Sequence, residues 1–96
     1  MEIELRFFAT VREAVGARTT ARTVDSGATV RDVLAGLETE YPSLDGTLLT
    51  DGAVAGSVTV LRNGRNVANL AGAETPLSDG DSLSVTPPVS GGCGRR

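Results

Sequence analysis

The chain is 96 residues long, with twelve acidic residues against nine basic ones, a formal net charge of −3 and 40% hydrophobic residues. That length holds one domain, and a domain so small buries only about 60–65% of the surface its unfolded chain exposes, so its stability is modest. The acidic balance without a basic stripe argues against a nucleic-acid partner. A single cysteine excludes an internal disulfide, and no apolar run approaches the ~20 residues of a membrane span.

The opening "MEIELRFF" has neither the cationic nor the apolar region of an export signal, and the expected compartment is the cytoplasm. Residues 2–8 alternate, with Ile3, Leu5 and Phe7 on one face and Glu2, Glu4, Arg6 and Phe8 on the other, as in a half-buried strand. "ATVREAVG" predicts a helical turn closed by Gly16, and "TTARTVD" a second strand, β-branched but poorly alternating, ending at "DSG". The clearest helix is residues 29–41: Val30, Val33, Leu34 and Leu37 recur at i, i+3, i+4 and i+7, and Tyr41 continues the stripe. Thr29 is its N-cap, Asp32 stands three residues on, and Pro42 lies just past its end. Gly36 inside it costs about 0.5–1 kcal/mol and suggests a close backbone approach.

Residues 43–56 are a glycine-rich connection with an apolar pair, Leu48 and Leu49, and no element is assigned there. "SVTVLRNGRNVA" reads as two strands joined by Asn63-Gly64, the strongest short hairpin signal. "LSDGD" reads as a solvated turn, with Asp79 and Asp81 facing water and Gly80 supplying backbone freedom. It leads into the strand "SLSVT", whose Leu83 and Val85 face the core, before Pro87 and Pro88 stop ladder pairing.

The order strand, strand, helix, hairpin, strand is an α+β pattern with one main helix to cover one sheet face. A helical crossover and a last strand returning beside the first give a mixed sheet of four to five strands. That is the β-grasp arrangement. Residues 1–88 are expected to form this domain, and 89–96 a flexible tail.

"FFATVREAVG" at 7–16, "LSDGDSLSVTPPVSGG" at 77–92 and the capped helix between them resemble the small subunit of molybdopterin synthase and, more closely, the small archaeal modifier proteins. Both groups are ubiquitin-like β-grasp proteins. The resemblance implies that the carboxylate of Gly92, preceded by Gly91, is adenylated by an enzyme like the ubiquitin-activating enzymes. It is then joined to a lysine of a target protein, or converted to a thiocarboxylate that gives sulfur to a molybdopterin precursor or to tRNA uridines. On that reading the chain is a substrate of enzymes and not an enzyme, although it has a place as the small subunit beside a molybdopterin-synthase large subunit. No cofactor is bound, and the ATP is used by the activating enzyme.

The residue types suit that chemistry. A carboxylate is a poor electrophile and must be activated inside a narrow cleft, where two glycines leave the terminal carbon unhindered. Residues 89–92 reach at most about 13 Å, enough to enter a cleft while the domain docks outside, and Pro87 and Pro88 lower the entropy lost on threading. The resemblance also assigns partner docking to Phe8, Arg12 and Leu70, together with Pro87 and Pro88. Relatives often carry an aromatic residue where this chain has Thr86, so the apolar docking patch is smaller here.

The extension "CGRR" implies a precursor cut between Gly92 and Cys93, for which a JAMM-type metalloprotease is the candidate. Attack by Cys93 on the Gly92 carbonyl lacks an adjacent base, since the chain has no histidine. An alternative is a β-grasp interaction module whose tail never reacts. An iron–sulfur β-grasp protein is excluded, because a plant-type cluster needs four cysteines.

All nine basic residues are arginine, and no lysine occurs. Arginine-biased codon usage and adaptation of an acidic surface to high salt both account for this. In either case, the N-terminus is the one primary amine available for acylation.

Overall fold

A computed structural model describes residues 1–56 and 58–86. In chain order the elements are β1 (Glu2–Phe7), α1 (Ala9–Val15), β2 (Thr19–Thr23), α2 (Val30–Glu40), β3 (Leu49–Thr50), β4 (Ala53–Val54), β5 (Thr59–Arg62), β6 (Arg65–Asn66) and β7 (Ser82–Thr86). Short 3₁₀ turns at Pro42–Leu44, Val67–Asn69 and Gly72–Glu74 fill the connections. The main sheet runs β2-β1-β7-β5-β6, with β3 and β4 as a separate ribbon. β1 and β7 are parallel and every other pair is antiparallel, so the expected mixed β-grasp sheet has five strands.

The alternation of β1 decides which face is covered: Ile3, Leu5 and Phe7 are buried, while Glu2, Glu4 and Arg6 are exposed. Val30, Val33, Leu34 and Leu37 of α2 are all buried and share one core with Val60, Leu83 and Val85. Each such side chain contributes roughly 1.5–3 kcal/mol, which is why an 11-residue helix, too short to persist alone, is stable here. Its start is fixed by Asp32, whose carboxylate accepts from the Thr29 N–H at 2.9 Å and from the Thr29 hydroxyl at 3.3 Å. Its end is closed by the Tyr41 N–H on the Leu37 carbonyl at 2.8 Å, just before Pro42.

At Gly36 no backbone comes close. The nearest atom to an added Cβ is Arg22 Nη1, at 3.7 Å, because the Arg22 side chain lies over this turn and pairs with Glu40. The Asn63-Gly64 hairpin forms as expected, both residues at positive φ (51° and 86°) as a type I′ turn requires.

Residues 43–56, left without an element by the sequence, fold into a 3₁₀ turn and the β3–β4 ribbon. Leu44 and Leu48 anchor the segment in the core, and Glu38 of α2 accepts from the N–H groups of Leu48 (2.9 Å) and Leu49 (3.1 Å).

The turn at 78–81 leaves Asp79 exposed, as the sequence suggests, but corrects the reading of Asp81. Asp79 accepts from the Glu2 N–H at 2.7 Å, and Asp81 is only 7% exposed. The Asp81 carboxylate accepts from Arg62 Nε (2.9 Å), Asn63 Nδ2 (3.0 Å) and the Ser78 N–H (2.8 Å). Burial pushes its pKa up, but the hydrogen bonds from Asn63, Ser78 and Arg62, with the Arg62 charge, more than offset this and hold it below the usual 3.8. Asp81 therefore ties the β5–β6 hairpin to the entry of β7. Periodicity cannot reveal such a role, since a turn aspartate and a buried one read alike in sequence.

Candidate functional site

The parallel seat of β7 beside β1 decides where the chain leaves the sheet. Phe7 is the register partner of Val85, so Phe8 stands level with Thr86, and the Phe8 N–H donates to the Val85 carbonyl at 3.2 Å. Continuing the alternation of β1, Phe8 belongs to the face away from α2, and it is 46% exposed. The chain turns sharply at Ala9 (φ 52°) into α1, which leaves Phe8 at a corner.

α1 begins on that corner, with the Arg12 N–H reaching the Phe8 carbonyl at 3.3 Å and Gly16 closing it in the left-handed conformation (φ 86°). A groove of about 300 Å³ is lined by Glu4, Arg6, Phe8, Arg12, Arg18 and Thr19. Seven arginines lie among the described residues. Four of these, Arg6, Arg22, Arg31 and Arg62, pair with carboxylates. Arg12, Arg18 and Arg65 have no ion pair among the described residues, and two of these three flank Phe8. An acidic chain thus sets cationic groups around an exposed aromatic ring beside its exit point, a surface suited to an apolar socket with an acidic rim.

Phe8 and Arg12 therefore come together as the sequence suggested. Leu70 does not join them: it is 37% exposed but follows the 3₁₀ turn after β6, with β7, β5 and β6 intervening in the strand order. Arg18 and Arg6 were missed. The signal for Arg6 was its place on the outer face of β1; Arg18 had none, because only the turn at Gly16 brings it back beside Phe7, whose N–H donates to the Arg18 carbonyl at 2.8 Å. Pro87, Pro88, Gly91, Gly92 and Cys93 lie outside the described residues. Among the described residues no group of three or more His, Cys, Asp and Glu side chains is placed to hold a metal ion. No helix among them is long and apolar enough to cross a membrane.

The chain and its fold are similar to those of known proteins. Small archaeal modifier protein 3 of Haloferax volcanii is 56% identical over 92 residues, covering 96% of this chain and all of that protein. A Haloferax volcanii protein solved in solution superposes with a TM-score of 0.88 at 56% identity, covering 95% of this chain and 86% of the other. The crystal structure of small archaeal modifier protein 1 from the same organism gives 0.77 at 36% identity, covering 95% and 99%. With a β-grasp sheet whose last strand emerges beside Phe8, and a ThiS family profile that matches residues 5–92, the chain belongs to the ThiS family.

Proposed function

We propose that this chain is a ubiquitin-like protein modifier and sulfur carrier whose Gly92 is activated as an acyl adenylate in the cytoplasm. The observation that carries the reading is the exit geometry: β7 ends level with Phe8, so a partner gripping Phe8, Arg12 and Arg18 sits beside Thr86, the last described residue before the glycine-bearing end. The modifier names of its relatives support the same role.

In the proposed sequence a JAMM-type metalloprotease first cuts after Gly92. A carboxylate oxygen of Gly92 then attacks the α-phosphorus of ATP, forming the mixed anhydride and releasing pyrophosphate. Hydrosulfide or the unprotonated amine of a target lysine next attacks the Gly92 carbonyl carbon, AMP leaves with the electron pair and a proton passes to solvent, giving a thiocarboxylate or an isopeptide bond. The base, the nucleotide site and the metal belong to the partners. This chain contributes an unhindered acyl end and a docking face, and a molybdopterin-synthase large subunit or a lysine-bearing target takes the activated product.

Intact mass measurement of the protein isolated from its own cytoplasm tests the reading. Chains ending at Gly92, free or linked to other proteins, are expected. Finding only chains ending at Arg96, none of them linked, would overturn it.

A further inference from the structure

We infer that this protein is a donor only: each copy is attached singly, and no copy becomes the acceptor for another. The inference rests on the proposed activation of Gly92 and concerns what happens after it. Extending one modifier by a second requires an unprotonated amine on the first copy. Its nitrogen attacks the Gly92 carbonyl carbon of the incoming acyl adenylate, the carbon–nitrogen bond forms, the carbon–oxygen bond to AMP breaks, AMP departs with the electron pair, and the amine gives a proton to solvent.

None of the 96 residues supplies a side-chain amine, since every basic residue is arginine. A guanidinium is delocalised and stays protonated, so it is no substitute for a lysine amine. The remaining candidate is the amine of Met1, and the structure engages it. The Met1 ammonium donates to the Val24 carbonyl at 2.8 Å, and the Val24 N–H donates back to the Met1 carbonyl at 2.8 Å. This closed pair extends the β1–β2 ladder one step past the Glu2–Thr23 partnership. The Met1 side chain also packs against the core. To react, the ammonium must lose a proton and swing its lone pair toward the acyl carbon, which breaks the end of the ladder. Chemistry and packing thus remove both routes to an amide-linked chain.

The test uses the chain ending at Gly92, which retains every strand and helix found among the described residues. It is incubated in excess with the adenylating enzyme of the same genome and ATP, with Nα-acetyl-lysine as a small acceptor in one arm and no added acceptor in the other. Activation is read separately by ATP–pyrophosphate exchange. The wild-type chain is expected to form the acetyl-lysine adduct and no self-linked dimer. Arg65→Lys on β6 and Arg31→Lys on α2, both exposed and charge-conserving, are tested separately, and at least one is expected to form dimers and longer species.

Self-linked wild-type multimers, with the branch mapped to the Met1 amine or elsewhere, overturn the inference. So does the absence of multimers from both lysine variants while the acetyl-lysine adduct forms, because a missing acceptor would then not be what prevents extension. Loss of pyrophosphate exchange in every chain instead refutes the activation of Gly92, and the inference falls with it.

Discussion

Replacing Asp81 with alanine should destabilise the fold far more than its place in a turn suggests. The carboxylate accepts three hydrogen bonds, from Arg62, Asn63 and the Ser78 N–H. Hydrogen bonds to charged groups contribute about 1.5–3 kcal/mol each when buried. Arg62 is partly exposed and regains water on mutation, so the sum is discounted to about 2–4 kcal/mol for the whole cluster. For a domain of this size that lowers the melting temperature by roughly 10–30 °C. Asp79→Ala, which loses one exposed bond to the Glu2 N–H, should cost at most about 1 kcal/mol.

The pH dependence follows from the direction of the shift. The folded pKa of Asp81 lies below the usual 3.8, so the unfolded chain takes up its proton first as pH falls. The contribution is fully present above the unfolded value and is lost as pH falls through the folded one. Urea unfolding of wild type and Asp81→Ala at pH 7, and at a series of values below 4, should show a gap that narrows on acidification. A difference under about 1 kcal/mol at pH 7, or a gap that widens with acid, would refute the assignment of Asp81 as the tie between hairpin and β7.

Three further outcomes are expected. Phe8→Ala, at an exposed corner, should leave stability within about 0.5 kcal/mol but raise the KM for the activating enzyme about tenfold, with little change in kcat, as measured by pyrophosphate exchange. Gly36→Ala should stabilise the protein by up to about 1 kcal/mol in denaturant unfolding, since the new methyl meets only Arg22 Nη1 at an ordinary 3.7 Å; destabilisation would mean that the Arg22–Glu40 pair is disrupted. Leu34→Ala, fully buried under the sheet, should cost about 2–5 kcal/mol by the same measurement.

The parts of the fold legible in the sequence were those where a period or a turn chemistry acts alone. The i, i+3, i+4 stripe of α2, the strict alternation of β1 and the Asn63-Gly64 turn each state their structure locally. The β3–β4 ribbon does not. Its strands are two residues long, too short for any period, and the segment is held by Glu38, a side chain of the preceding helix.

Asp81 illustrates the same limit for polar residues, because its burial depends on Arg62 and Asn63 arriving from another hairpin. At the candidate site, exposed Phe8 stood out because it breaks the polar face of its strand. Arg18 did not, since its neighbourhood exists only once β1 and β2 have paired. The separation of Leu70 from that groove is likewise a matter of strand order, which spacing along the chain does not carry.

The proposed role of the chain depends on Gly92 as the activated acyl end. Its most direct test is the intact mass of the chain ending at Gly92 after incubation with the adenylating enzyme, ATP and a sulfide source, beside an otherwise identical reaction lacking ATP. An ATP-dependent replacement of one oxygen by sulfur is expected, localised to Gly92 by fragmentation. An unchanged mass, although the enzyme activates another ThiS-family protein in the same buffer, would contradict it.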